Sequence, residues 1–128
     1  MKTHIKRLLP KQDIKQCLIQ ILDEYRLPAA VIVSAVGSVE SYTLRVSDGV
    51  SVIFKDENRE IVSMSGILTK DGIHVHLSLS SQDGSVIGGH LMEGCRVKTT
   101  LELVILALDQ DVSRSYDPIT GYKELIIK

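Results

Sequence analysis

The apolar positions change period twice, both times near the start of the chain. "THIKRLL" alternates as a first strand and is closed by Pro10. In "KQDIKQCLIQILDEYRLP" the residues Ile14, Leu18, Ile21, Leu22 and Tyr25 recur at helical spacing, which predicts a helix with one buried face. Asp13 is placed as its N-terminal cap, and Pro28 ends the segment. Downstream the pattern is strand-like almost to the end: "AAVIVSAVGSV", "SYTLRV", "VSVIF", "EIVSMSGILT", "IHVHLSLSS", "SVIGGHL" and "RVKTTLELVILAL". Asp48-Gly49, Asp71-Gly72 and Asp83-Gly84 separate strand-like runs and favour tight hairpins, because both residue types tolerate positive φ. The tail "DQDVSRSYDPITGYKELIIK" carries turn chemistry at Asp117-Pro118 and Gly121, then a short apolar strand. The pattern predicts one α+β domain over residues 1–128, a mostly antiparallel sheet core with one main N-terminal helix.

Composition narrows the class. With 128 residues and 44% apolar content, the chain is long enough for a real core. No apolar run approaches the roughly 18 residues of a membrane helix. The N-terminus lacks the pattern of a signal peptide, so a cytoplasmic protein with no membrane partner is expected. Cys17 and Cys95 lie far apart and read as ordinary thiols of a reducing compartment. Fifteen basic against sixteen acidic residues give a net charge of −1, which does not favour a nucleic-acid partner. The densest basic cluster, Lys2, Lys6, Arg7, Lys11 and Lys15, reads as a solvated face.

Three of the four histidines fall in "DGIHVHLSLSSQDGSVIGGHL". Unbroken alternation sends Ile73, Val75, Leu77 and Leu79 to one face and His74, His76, Ser78 and Ser80 to the other. The turn at Asp83-Gly84 folds the next run back, bringing His90 toward the pair. Three imidazoles with an open fourth position form the ligand set of a catalytic zinc site. The same spacing also fits a plain polar sheet face. Gly88 and Gly89 beside His90 suggest a close backbone approach. His4 has no sequence partner. Among other candidates, Glu102 in "KTTLELVIL" shares a strand face with Lys98 and Thr100, and could serve as an acid/base group or as a partner to a ligand; a solvated or paired glutamate is the plainer reading. Arg45 could hold an anion bidentately or form a structural ion pair. Ser78 and Ser80 read as hydrogen-bonding neighbours rather than nucleophiles.

The order of segments "DIKQCLIQILDEYRLPAA", "VSAVGSVESYTLR", "EIVSMSGIL" and "HVHLSLSSQDGSVIGGHL" resembles the plant-and-prokaryote conserved domain, called PPC or PCC, over nearly the whole chain. Members resemble one another as α+β domains assembling as homotrimers. Plant members carry basic AT-hook arms and bind AT-rich DNA, and stand-alone prokaryotic members are often designated DNA-binding by that relationship. This chain has no AT-hook, and it keeps histidines where plant members typically lack them; both departures weigh against DNA. The histidine block is also similar to that of acetolactate decarboxylase, whose fold is considered related and which binds zinc through a His-x-His and Gly-Gly-His arrangement. That resemblance implies a zinc cofactor at His74, His76 and His90, with nickel or copper as alternatives. Two readings follow: a trimeric metal-binding domain that binds or transforms a small molecule, and a DNA-associated regulator. A trimeric interaction platform with an inert site is a third.

Overall fold

The computed structural model describes residues 2–128. The chain runs β1 (Thr3–Leu8), α1 (Ile14–Glu24), β2 (Ala29–Arg45), β3 (Val52–Lys55), β4 (Arg59–Thr69), β5 (Gly72–Ser80), β6 (Val86–Leu91), β7 (Arg96–Ala107), β8 (Val112–Asp117) and β9 (Tyr122–Ile127). Every strand pairing is antiparallel, and the chain is an α+β fold dominated by sheet.

The helix forms where its period predicts. Ile14, Leu18, Ile21 and Leu22 are buried, and the Asp13 carboxylate accepts from the backbone N–H of Gln16 at 3.1 Å. The other oxygen of Asp13 accepts from Gly94 N–H at 2.7 Å, so one residue ties the helix start to the turn before β7. The helix stops earlier than Pro28. Arg26 adopts φ 55°, and Leu27 N–H returns to the Leu22 carbonyl at 2.8 Å, a C-terminal closure that ends the helix at Glu24.

The main sheet has the order β1-β7-β2-β4-β5-β6, with β3 on β2. The two runs read as separate strands, "AAVIVSAVGSV" and "SYTLRV", are one 17-residue strand, β2. Register shifts between Ile32/Ser34, Gly37/Val39 and Val39/Ser41 bend it without interrupting it. The bend lets β2 pair with β7 along most of its length and then with β6 at Leu44 and Arg45. The sheet thereby curls until β6, its far strand, returns to β2. The core lies inside this curl, where the buried face of α1 forms one apolar cluster with strand residues such as Leu8, Tyr42, Leu44, Leu77, Leu101 and Ile105.

One hairpin departs from its expected turn centre. At Asp71-Gly72 the turn residues are Lys70 and Asp71, since Gly72 already pairs with Thr69. The tail turns where Asp117-Pro118 and Gly121 predict and forms a separate two-stranded hairpin, β8–β9, in which Asp117 closes the turn: its side chain accepts from Ile119 N–H and its carbonyl from Gly121 N–H, both at 2.8 Å.

Candidate metal centre

Alternation along β5 buries Val75, Leu77 and Leu79 and turns His74, His76 and Ser78 outward. In the following turn the Asp83 carboxylate accepts from Ser85 N–H at 2.9 Å and from the Ser81 hydroxyl. The returning strand β6 sets His90 directly opposite His76. Glycines decide how near these strands come. A Cβ on Gly89 would stand 2.7 Å from the Arg45 carbonyl oxygen, and one on Gly66 would stand 2.1 Å from that of His74. So β6 wedges against the end of β2, and β4 lies close under His74, only because neither position carries a side chain.

The three imidazoles converge. Ring centroids are 4.9 Å apart for His74 and His76, 5.4 Å for His74 and His90, and 5.7 Å for His76 and His90. One ring nitrogen of each lies within 4.8 Å of the others. A tetrahedral zinc with bonds of about 2.0–2.1 Å holds its nitrogens about 3.3 Å apart. The Nε2 atoms of His74 and His76 are 3.2 Å apart, and the wider gaps are on the scale of an imidazole rotation. Burial holds His90 down to about 4, helped by the Arg45 guanidinium and by His74 and His76. His74 is lowered too, by burial first and then by His76 and Arg114. Both rings therefore stay neutral at pH 7, the form that ligates a metal. Nδ1 of His90 is buried with no hydrogen-bond partner, an orphan that fits a donor set awaiting a cation.

Arg45 joins this group. It is the register partner of His90 across the β2–β6 pairing, so Ser65, His76, His90 and Arg45 stand in one row over four strands. Arg45 and all three histidines line a cavity of 660 Å³. The structure does not bring Glu102 there. It sits exposed on β7 between Arg7 of β1 and Val36 of β2, on the stretch of sheet remote from β5 and β6. Ser78 donates to or accepts from Ser63 at 2.6 Å, as a neighbour would. His4 stacks on Tyr25 at 4.3 Å, and both cysteines are free. Cys95 is buried and its thiol is pushed up to about 11 by desolvation, which makes it inert.

Four further residues of the cavity wall come from the hairpin: Arg114, Tyr122, Lys123 and Glu124. Sequence reading did not find them. The six-residue runs flanking "DPITG" are a hairpin signal, but nothing local says where a hairpin docks.

The model of the Plants and Prokaryotes Conserved (PCC) domain matches residues 1–109. The whole chain is 41% identical to part of the bifunctional protein GlmU of Synechococcus sp. (strain JA-3-3Ab), and it spans 21% of that protein's length. A hypothetical protein from Salmonella enterica superposes with a TM-score of 0.94 at 37% identity, over 99% of this chain and 93% of that one. A metal-containing protein from Archaeoglobus fulgidus does so at 0.82 and 30%, over 98% and 94%. The fold alone is shared with a Bacteroides thetaiotaomicron protein provisionally described as DNA-binding, at 0.86 and 21%, over 97% and 91%. It is also shared with a Staphylococcus aureus protein similar to alpha-acetolactate decarboxylase, at 0.57 and 16%, over 85% and 54%. The family match over most of the chain agrees with the segment order and with the strands that carry the histidines: this chain belongs to the PCC domain family.

Proposed function

We propose that His74, His76 and His90 hold a zinc ion with a coordination position open to the cavity, and that the domain binds or transforms a small molecule there. The observation that carries this reading is the convergence of three imidazoles on adjacent strands, one with an orphaned buried nitrogen. The Archaeoglobus relative, at 30% identity, is described as metal-containing, which supports it. Nickel or copper would suit the same donors. Three protein ligands with a free position are the pattern of sites that act on a ligand rather than of closed structural sites. A metal so held supplies Lewis acidity to a carbonyl or acidifies a bound water. The chain's own histidines would hold the ion, and Arg114, Tyr122, Lys123 and Glu124 of the hairpin wall the cavity beside it. Because β8–β9 lies beyond residues 1–109 yet lines the cavity, residues 1–128 are taken as one unit.

Self-association as a homotrimer belongs to the same reading. Its support is the outward sheet face. Val104 pairs with Ile5, and one row runs Leu106, Val31, Ile67 and His74 across four strands. Ile5, Val36 and Val62 add exposed apolar surface. DNA binding is the less favoured reading, since the neighbours that carry that designation share only the fold at 21% and 23% identity, and the net charge of −1 offers no phosphate footprint. Two free thiols suit a reducing compartment, the cytoplasm. Cobalt substitution tests the metal reading. The cobalt-loaded protein is expected to show the intense visible bands of a four-coordinate ion, perturbed by added small ligands. A pale six-coordinate spectrum unchanged by ligands would refute the open tetrahedral site.

A further inference from the structure

Two arginines face the imidazoles without a carboxylate of their own. Arg45 enters the cavity from the end of β2, beside His90, and Arg114 enters from β8, on the His74 side. Neither takes part in an ion pair among the described residues. Nε of Arg114 is buried with no hydrogen-bond partner, and its Nη1 reaches only the Lys123 carbonyl, at 3.5 Å. The Arg45 guanidinium carbon lies 5.5 Å from the centre of the Tyr122 ring. That stacking holds the group in place and leaves its N–H edge free. A partly buried guanidinium with unused donors is costly unless something accepts from it. The cavity wall holds Arg45, Arg114 and Lys123 against Asp71 and Glu124, an excess of one positive charge before any metal is counted.

We infer that this cavity takes a small organic carboxylate, clamped between Arg45 and Arg114 while a second oxygen of the same molecule reaches the open position over His74, His76 and His90. The inference deepens the metal reading and rests on it for the second contact only. Two features select a carboxylate over a phosphate. No helix contributes to the wall, so the N-terminal amides that usually cradle phosphate are missing from it. Asp71 and Glu124 in the wall also oppose the two charges that a phosphate dianion concentrates on one group more than the single charge of each carboxylate. The planar guanidinium fork matches the carboxylate's two oxygens. The hairpin β8–β9 thereby acquires a role: Arg114 completes the clamp, and Tyr122 sets the pose of Arg45.

Titration calorimetry of the zinc-loaded protein with malonate tests this, alongside Arg45→Gln, Arg114→Gln and the remote Lys98→Gln as a charge control. Zinc content is measured on every sample before and after. Malonate is expected to bind, and each arginine variant is expected to weaken it roughly tenfold or more with zinc retained, while Lys98→Gln binds as wild type does. Absence of binding at millimolar malonate, or equal binding by wild type and both arginine variants, would overturn the clamp. Tighter binding of inorganic phosphate than of malonate would overturn the choice of carboxylate. If the protein takes up no zinc, the metal reading fails, and the titration of the metal-free protein then decides the clamp separately: arginine-dependent binding supports it, and its absence overturns it.

Discussion

The sheet carries two clusters that pair an arginine with a tyrosine, and they differ in what they leave unfinished. In the first, the Arg59 guanidinium carbon lies 5.5 Å from the centre of the Tyr42 ring; its Nε donates to the Tyr42 hydroxyl at 3.0 Å and to Glu57 at 3.3 Å, and Tyr42 donates to Glu57 at 2.5 Å. In the second, Arg45 lies at the same 5.5 Å from Tyr122, but no carboxylate closes the circuit, and three imidazoles stand where it would be. The first cluster satisfies itself, save for Nη1 of Arg59, and holds β2 to the start of β4. The second has its donors and acceptors pointed into a cavity. A polar cluster closed on itself is architecture, and one left open toward a cavity is a candidate site.

Changes to the backbone frame should have the largest effect. Gly66→Ala sets a methyl 2.1 Å from the His74 carbonyl oxygen, backbone against backbone, and is expected to cost about 3 kcal/mol in urea melts and to reduce metal uptake with it. Tyr42→Phe removes the hydroxyl that joins Glu57 to Arg59. A loss of about 1–3 kcal/mol is expected, with metal content unchanged; loss of metal would mean the two clusters are coupled.

Acid should separate the clusters by pH. His90, desolvated by burial and set near Arg45, His74, His76 and Lys15, holds a folded value of about 4 against an ordinary 6.5. Between these values the unfolded chain binds the proton that the folded one refuses, so the metal-free protein should lose stability as pH falls from about 6.5 toward 4. Glu57 is held below its ordinary 4.5, chiefly by the Tyr42 hydrogen bond, so its contribution is lost only at lower pH. Thermal melts across this range check the order, and His90→Gln should flatten the upper step alone. The smallest effect is expected of His76→Ala in chelator: an exposed side chain with no closed network should change stability by less than about 0.5 kcal/mol.

Much of the second cluster was legible in the sequence because it depends on local rules. A period of two put His74 and His76 on one face, a turn returned His90, and paired glycines marked the close approach of β6. Arg45 was legible as a candidate, but its register partner was not, because that pairing exists only once β2 bends. The bend comes from register shifts within a strand that reads as two. Glu102 shows the opposite failure: it occupies an outward face, as alternation predicts, yet strand order puts that face beside β1 rather than beside the histidines. Arg114 and Tyr122 were invisible because a hairpin's docking place is decided by the surface it meets.

The central claim is that the open cluster is a metal site. Elemental analysis of the purified protein, wild type beside His74→Ala/His76→Ala, tests it most directly. Close to one zinc per chain is expected in the wild type and almost none in the variant, with both chains folded by circular dichroism. A wild type that remains metal-free after exposure to zinc, or a variant that keeps its full zinc, would contradict it.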